Sequence, residues 1–427
     1  MQNAKLHLTL ACALLLCGKF FAASNARAES WPDFRGPVGQ GHSDATSLPL
    51  NWSESENIRW KIVIPGKGWS TPVVWEQQIW LTTATDDGKK LWALCLNRES
   101  GLIEREVLVF SVETPQPINA LNSYASPSPV VDAERVYVHF GTYGTAAIDR
   151  NGGQVVWTRN DLKLDHKEGP GSSPILDGDR LILTCDGMDV QYVTALDVRT
   201  GATVWRTDRS IDLTAHQPDL RKAYSTPLLT KIAGKPQLIS PGAHAVYGYE
   251  AQTGKELWRF QYSGFSNVAR PVVDDEHVYI NTGYMKPQTL AIKLGGRGDI
   301  TDTHLVWKNT QGNPNKPSPL LVDGLLYLVS DNGGVATCLE AKTGEKVWSK
   351  RLGGNFSASP LYADGRIYLC DQDGKTYVLK PGREYVELAL NEVSDGFMAT
   401  PVAVGNALYL RTKSHLYRVE ATGRAGP

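Results

Sequence analysis

The stretch Ala195-Leu196-Asp197-Val198-Arg199-Thr200-Gly201-Ala202-Thr203-Val204-Trp205 decides the fold. A short β-rich run reaches Asp197, a Thr-Gly turn reverses the chain, and a second run ends in Trp. Two such runs about a Gly-bearing turn read as a hairpin. Close copies end at Trp157, Trp258 and Trp348, and Trp307 ends a copy enlarged around Gly295–Asp302.

Upstream of each hairpin lies a second recurring unit, a small residue and Pro followed by apolar residues. It appears at Ser70-Thr71-Pro72, Ser128-Pro129, Ser173-Pro174, Thr226-Pro227, Ala269-Arg270-Pro271, Ser318-Pro319, Ser359-Pro360 and Thr400-Pro401. Turn signals such as Asp177-Gly178, Asp323-Gly324, Asp364-Gly365 and Gly405-Asn406 follow, then alternating strands such as Leu325–Leu328 or Arg366–Leu369. Four strands per unit of about 40–50 residues make one blade of a β-propeller. Eight anchors therefore predict an all-β, eight-bladed β-propeller of four-stranded antiparallel blades. The last unit, after Pro401, has only three strands, whereas a spare strand with the Trp signature, Asn57-Ile58-Arg59-Trp60, precedes the first. The N-terminal strand is expected to complete the last blade and close the ring, leaving no open edge at the seam. A Trp at one fixed place per repeat reads as packing between neighbouring blades. Arg105 and Tyr385 are expected at that place in the first and seventh units.

Composition agrees with a packed β protein. The 427 residues include 40 Gly, 24 Pro and 12 Trp, with 41% hydrophobic and 21% charged residues and a net charge of -1. Disorder is excluded by the apolar content, and charge-driven nucleic-acid binding by the missing basic excess. Residues 1–28 read as a secretory signal peptide. Lys5 supplies its positive end, Leu8–Leu16 its apolar run and Ala26-Arg27-Ala28 its cleavage site. That run is too short to span a membrane. The expected organisation is thus a signal peptide over 1–28, an extension over 29–56 and the propeller over 57–427, in a periplasmic or extracellular monomer. Cys95, Cys185, Cys338 and Cys370 fall at packing positions of four different blades and are expected to be free thiols, despite an even count in an exported chain.

The Ala-Leu-Asp-x-x-Thr-Gly-x-x-x-Trp core resembles the PQQ-like propeller repeat. That repeat is shared by quinoprotein alcohol dehydrogenases and by the lipoprotein subunit of the bacterial outer-membrane assembly machine. Trp31-Pro32-Asp33-Phe34-Arg35-Gly36-Pro37-Val38-Gly39-Gln40-Gly41 looks like the opening of secreted bacterial proteins of this kind. The likeness implies the fold over residues 30–420, and the same fold carries enzymes and scaffolds. A dehydrogenase of this type would need a Trp beneath a quinone, a metal ion, a catalytic Asp and a disulfide between adjacent cysteines. No adjacent cysteines occur, the blades are lean, and Trp69 is the one stacking candidate, so no cofactor is expected. Neither a G-x-S-x-G elbow, an H-E-x-x-H helix nor a P-loop is present.

The loops before the anchors differ from blade to blade. They place Trp69, Tyr124, His166, Arg270, Lys316 and Asn355 around one rim, with Tyr284 and His244 from neighbouring loops. His166 beside Asp165 suggests an oriented acid–base group, against a solvated loop histidine. The Arg270 guanidinium is expected at the channel mouth, exposed and dispensable for stability. The expected function is a non-catalytic envelope scaffold that binds a protein partner or a polar or glycan ligand at this face. The alternative is a PQQ-dependent oxidoreductase or a carbohydrate-active enzyme.

Overall fold

A computed structural model describes residues 30–422. The expected signal peptide over 1–28 lies outside the described residues. Eight small antiparallel sheets form a ring, and nearly all regular structure is β. Each anchor Pro immediately precedes the innermost strand of its blade, from Val73–Trp75 in blade 1 to Val402–Val404 in blade 8. A proline lacks an N–H and suits an edge strand, and here that edge faces the central channel. Blade 8 takes its outermost strand from the N-terminal side: Ile58–Val63 pairs with His415–Glu420. Among the described residues no helix is long and apolar enough to cross a membrane.

The Thr-Gly turn and the Trp prove to be two halves of one contact between blades. Trp157 lies on Gly201 of the next blade, Trp205 on Gly254, Trp307 on Gly344 and Trp60 on Gly101. Each of these glycines has φ between +72° and +75°, and a Cβ there would stand 2.4–2.7 Å from the indole. The indole N–H of Trp157 then donates to Val198 O at 2.9 Å, and that of Trp307 to Ala341 O at 2.8 Å. Blade 4 departs from the rule. The insertion in blade 5 adds Gly298–Asp299 to its outer edge, and Trp258 turns over Gly248 of its own blade.

The seventh blade corrects the sequence reading. The strand register pairs Val378 with Ala389 where blades 2 to 6 pair a small residue with Trp, so Ala389, and not Tyr385, holds the Trp position. The missing indole comes from elsewhere. In four blades a second-strand Tyr meets the outer-strand Trp: Tyr137 with Trp157, Tyr279 with Trp307, Tyr327 with Trp348 and Tyr409 with Trp60, at 5.9–6.2 Å. In blade 7 the corresponding Tyr368 meets Trp52 at 6.3 Å. Trp52 belongs to a segment wedged between blades 7 and 8, where its backbone N–H donates to Asn391 Oδ1 at 2.8 Å.

The four cysteines in the described chain are free and buried, one each in blades 1, 3, 6 and 7. Burial pushes every one of these thiols up to about 12. A thiol reagent at neutral pH should find none in a native chain lacking residues 1–28 and four after denaturation without reductant. A denatured count of two or zero would show disulfides and defeat the placement.

Candidate functional site at the channel mouth

Residues Trp31–Ser43 do not lie outside the propeller. They cross its axis and plug the channel. Trp31 exchanges backbone bonds with Val74 of blade 1, and Pro32 O accepts from Val131 of blade 2. Arg35 donates to Pro319 O (2.8 Å) and Pro360 O (3.2 Å), the anchor carbonyls of blades 6 and 7. Gln40 Oε1 accepts from Val273 N of blade 5, and Ser43 donates to Ala403 O of blade 8. Short inner strands leave open edges toward the channel, and the plug satisfies them. Gly39 (φ +70°) and Gly41 (φ +82°) are required here, because a Cβ at either would stand 2.6 Å from the guanidinium of Arg270 or Arg35.

Above the plug the residues before the anchor prolines form a collar. Thr71 N donates to Ser128 Oγ, Ser128 N to Ser173 Oγ and Ser173 N to Thr226 Oγ1, each at 2.9 Å. The series resumes with Arg270 N to Ser318 Oγ, Ser318 N to Ser359 Oγ and Ser359 N to Thr400 Oγ1, at 3.0–3.1 Å. Each hydroxyl thus ties one blade to the one before. Arg270 interrupts the series because it has no hydroxyl to offer.

Plug, collar and pre-anchor loops enclose a cup of about 600 Å³. Phe34 of the plug, Trp69, Phe265 and Tyr284 line it with Asn119, Asn122, Asn315 and Asn332. Its charged residues are three lysines and three acids: Lys167, Lys222, Lys316, Glu168, Asp219 and Asp331. All are engaged. Lys167 bonds Asp219 at 2.6 Å, the buried Lys222 bonds the same carboxylate, and Lys316 lies 3.6 Å from Asp331. Glu168 accepts from Asn119 at 2.8 Å. Asp331 also accepts the N–H groups of Asn315 (2.5 Å) and Lys316 (3.0 Å), which makes it the clamp of that loop. Burial raises its pKa against the opposing pull of Lys316.

Of the six rim residues expected from sequence, Trp69 and Lys316 line the cup. Trp69 is half-buried, its indole N–H donating to Leu121 O at 3.0 Å with the Lys67 ammonium 5.4 Å from its ring. Tyr124 lies beneath the rim, buried, its hydroxyl donating to Gln116 O. Asn355 is exposed and bridges to Asn332 through the backbone, without lining the cup. His166 is neither an acid–base group at the surface nor a solvated loop residue. It is buried, its Nε2 accepts the Thr142 N–H at 2.9 Å, and burial pushes it down to about 3. Arg270 points into the channel, but the plug covers it. It is 2% exposed and donates to Asp33 (3.4 Å), Phe34 O and Pro227 O (3.1 Å). Phe34, Lys222, Asp219 and Phe265 were not singled out by the sequence.

Buried histidines make the fold acid-sensitive. Burial holds His139 down at about 4 and His166 at about 3, whereas an unfolded histidine titrates near 6.5. The unfolded chain therefore takes up these protons first. The stabilisation is complete above pH 6.5 and is lost as the pH falls toward 4, by about 1.4 kcal/mol per pH unit for each histidine. Carboxyls that burial raises oppose them: Asp33, to about 6, together with Asp186, Asp331 and Asp371. Their contribution is lost as the pH rises through the raised values. In urea titrations between about pH 7 and about 4.5, His166→Asn should therefore lose less stability on acidification than the native chain. An unchanged pH dependence in His166→Asn would contradict the role given to this histidine.

The family model described as outer membrane protein assembly factor BamB matches the sequence in overlapping copies over residues 50–183, 107–207, 189–314, 296–383 and 333–425. The chain belongs to that family. Solved structures similar to it include the quinohemoprotein alcohol dehydrogenase of Comamonas testosteroni, with TM-score 0.70 and 12% identity over 96% of this chain and 84% of that one. BamB of Moraxella catarrhalis gives 0.59 and 14% over 84% and 99%. A europium-containing methanol dehydrogenase gives 0.68 and 11% over 91% and 90%. At such identities these likenesses show the fold alone. No curated protein matches the sequence.

The dehydrogenase neighbours raise the question of a quinone. Pyrroloquinoline quinone is a flat tricarboxylate and works beside a metal ion. The cup's donors do not suit it. Its lysines already hold Asp219 and Asp331, and Arg270 faces the plug. Among the described residues no group of three or more His, Cys, Asp or Glu is placed to hold a metal ion.

Proposed function

We propose that this propeller is a non-catalytic binding scaffold of the cell envelope and that the plugged cup is its working surface. The observation that carries this reading is that every charged side chain facing the cup is already held by a neighbour. No His lines the cup, and its carboxylates and lysines are held by one another or by neighbours, so none stands free to act as a base on its serine and threonine hydroxyls. A concave site with fixed polar groups and several aromatics is what ligand recognition needs. The family's description supports an envelope setting and a protein partner.

Val268 lines the cup, is half-buried and belongs to no strand, so Val268→Trp fills the cavity. Immobilised native protein should retain a partner or ligand from envelope extract, and Val268→Trp should lose it with its stability within about 1 kcal/mol of native. Equal capture by both proteins would overturn the reading. Dye reduction with alcohols after addition of PQQ and calcium would replace it with the oxidoreductase alternative.

A further inference from the structure

Beside the cup lies a second cavity of about 500 Å³, lined by Lys286, Pro287, Gln288, Thr310, Asn313 and Asn332 among others. It opens between blades 5 and 6. Asn332 lines both cavities, and the loop 284–288 runs along both: Tyr284 faces the cup, and Lys286 to Gln288 face the cleft. Tyr284 is 58% exposed, set edge-on to Phe265 at 6.1 Å. Met285 beside it, at the loop tip, has φ +72°, a conformation that costs a non-glycine residue free energy and calls for a reason.

The combined groove is close to neutral. The cup's three cations and three acids cancel, and Lys286 is the one charged residue lining the cleft. The rest of the lining is chiefly amides, hydroxyls and aromatic rings, with Leu121, Val268 and Met398 among them in the cup. Asn315 Oδ1 is buried with no hydrogen-bond partner among the described residues, although a buried acceptor ordinarily has one. Side-chain amides offer both donors and acceptors and so match hydroxyl groups, which are both as well. Exposed aromatic faces suit the C–H faces of a ring. A peptide strand would dock chiefly through backbone edges. In this cup six pre-anchor N–H groups are already spent on the collar, and the plug occupies inner edges beneath it.

We propose that cup and cleft form one continuous site for a linear, uncharged oligosaccharide, which crosses from one cavity to the other over Asn332 and Tyr284. This rests on the binding reading of the cup and names its ligand class.

The test is calorimetry with β-1,4-glucose, β-1,4-N-acetylglucosamine and α-1,4-glucose series of one to six units. Hexagalacturonate and a neutral Ser- and Asn-rich decapeptide serve as comparisons. At least one neutral series should gain about tenfold or more in affinity between two units and four, once the chain reaches past Asn332, and then level off. Tyr284→Ala, at an exposed position, should cost the longer members about tenfold while leaving melting unchanged. Absence of binding by all three series, affinity independent of length, or equal binding of hexagalacturonate would each overturn the proposal. If the decapeptide binds with the same sensitivity to Tyr284→Ala while no sugar does, the ligand class fails and the cup reading stands. Unimpaired capture by Val268→Trp sinks both.

Discussion

Arg270→Ala is expected to destabilise the protein by about 3–5 kcal/mol, the usual cost of breaking a buried ion pair from one side. The guanidinium is almost wholly enclosed and ties together elements far apart in the chain: Asp33 and Phe34 of the plug and the anchor carbonyl of Pro227 in blade 4. Its removal strands Asp33, a carboxyl that burial already raises to about 6 with Arg270 as its main opposing charge. Asp33 should then ionise only if the plug lifts. Urea melts should show the loss, and limited proteolysis should cut Arg270→Ala near residues 30–43 while the ring resists. The double variant Asp33→Asn/Arg270→Met removes both charges and should recover part of the loss, since replacing a buried pair by neutral groups is far less costly than breaking it. A change below about 1 kcal/mol with an intact plug would mean that the guanidinium is solvated at the channel mouth, as the sequence alone suggested.

That misreading shows which parts of this molecule are legible in its sequence. Whatever repeats can be read. Eight prolines mark eight inner strands, and Thr-Gly and Trp mark the contact between blades, because one packing problem is solved again and again and each copy corroborates the others. The plug occurs once. Arg270 meets Phe34 across 236 residues of chain, and no periodicity records such a pairing. The collar hydroxyls were visible only as small residues before proline; that each accepts an N–H from the preceding blade is a matter of closure around the ring. The cup was half-legible for the same reason. Blade-to-blade contrast found the loops that carry Trp69 and Lys316, but which loop residues face inward depends on the floor. That floor is Phe34, from outside the repeat. Blade 7 shows the converse: where the repeat lacks its Trp, no periodicity reveals that Trp52 takes its place against Tyr368.

The N-terminal segment should therefore decide whether the ring forms at all. A chain beginning after Val63 loses the plug, the wedge and the outer strand of blade 8 together. His415–Glu420 would be left as an open strand edge, which invites pairing with another chain. Such a chain is expected to lack a cooperative monomeric melt and to oligomerise in sedimentation. A peptide covering residues 30–63, added in trans, should restore a monomer-sized complex with a single transition, because the bonds it makes are to inner and outer strands that the rest of the chain already supplies. Point variants separate the contributions. Trp52→Ala should cost about 3–5 kcal/mol, as for a large buried aromatic, since Trp52 is 3% exposed at the blade 7–8 interface. Trp60 is only half-buried, on Gly101 and near Tyr409, so Trp60→Ala should cost less. If Trp60→Ala proves the worse of the two, strand pairing at the seam matters more than the wedge. If the truncated chain is monomeric with an unchanged melting temperature, neither closes the ring.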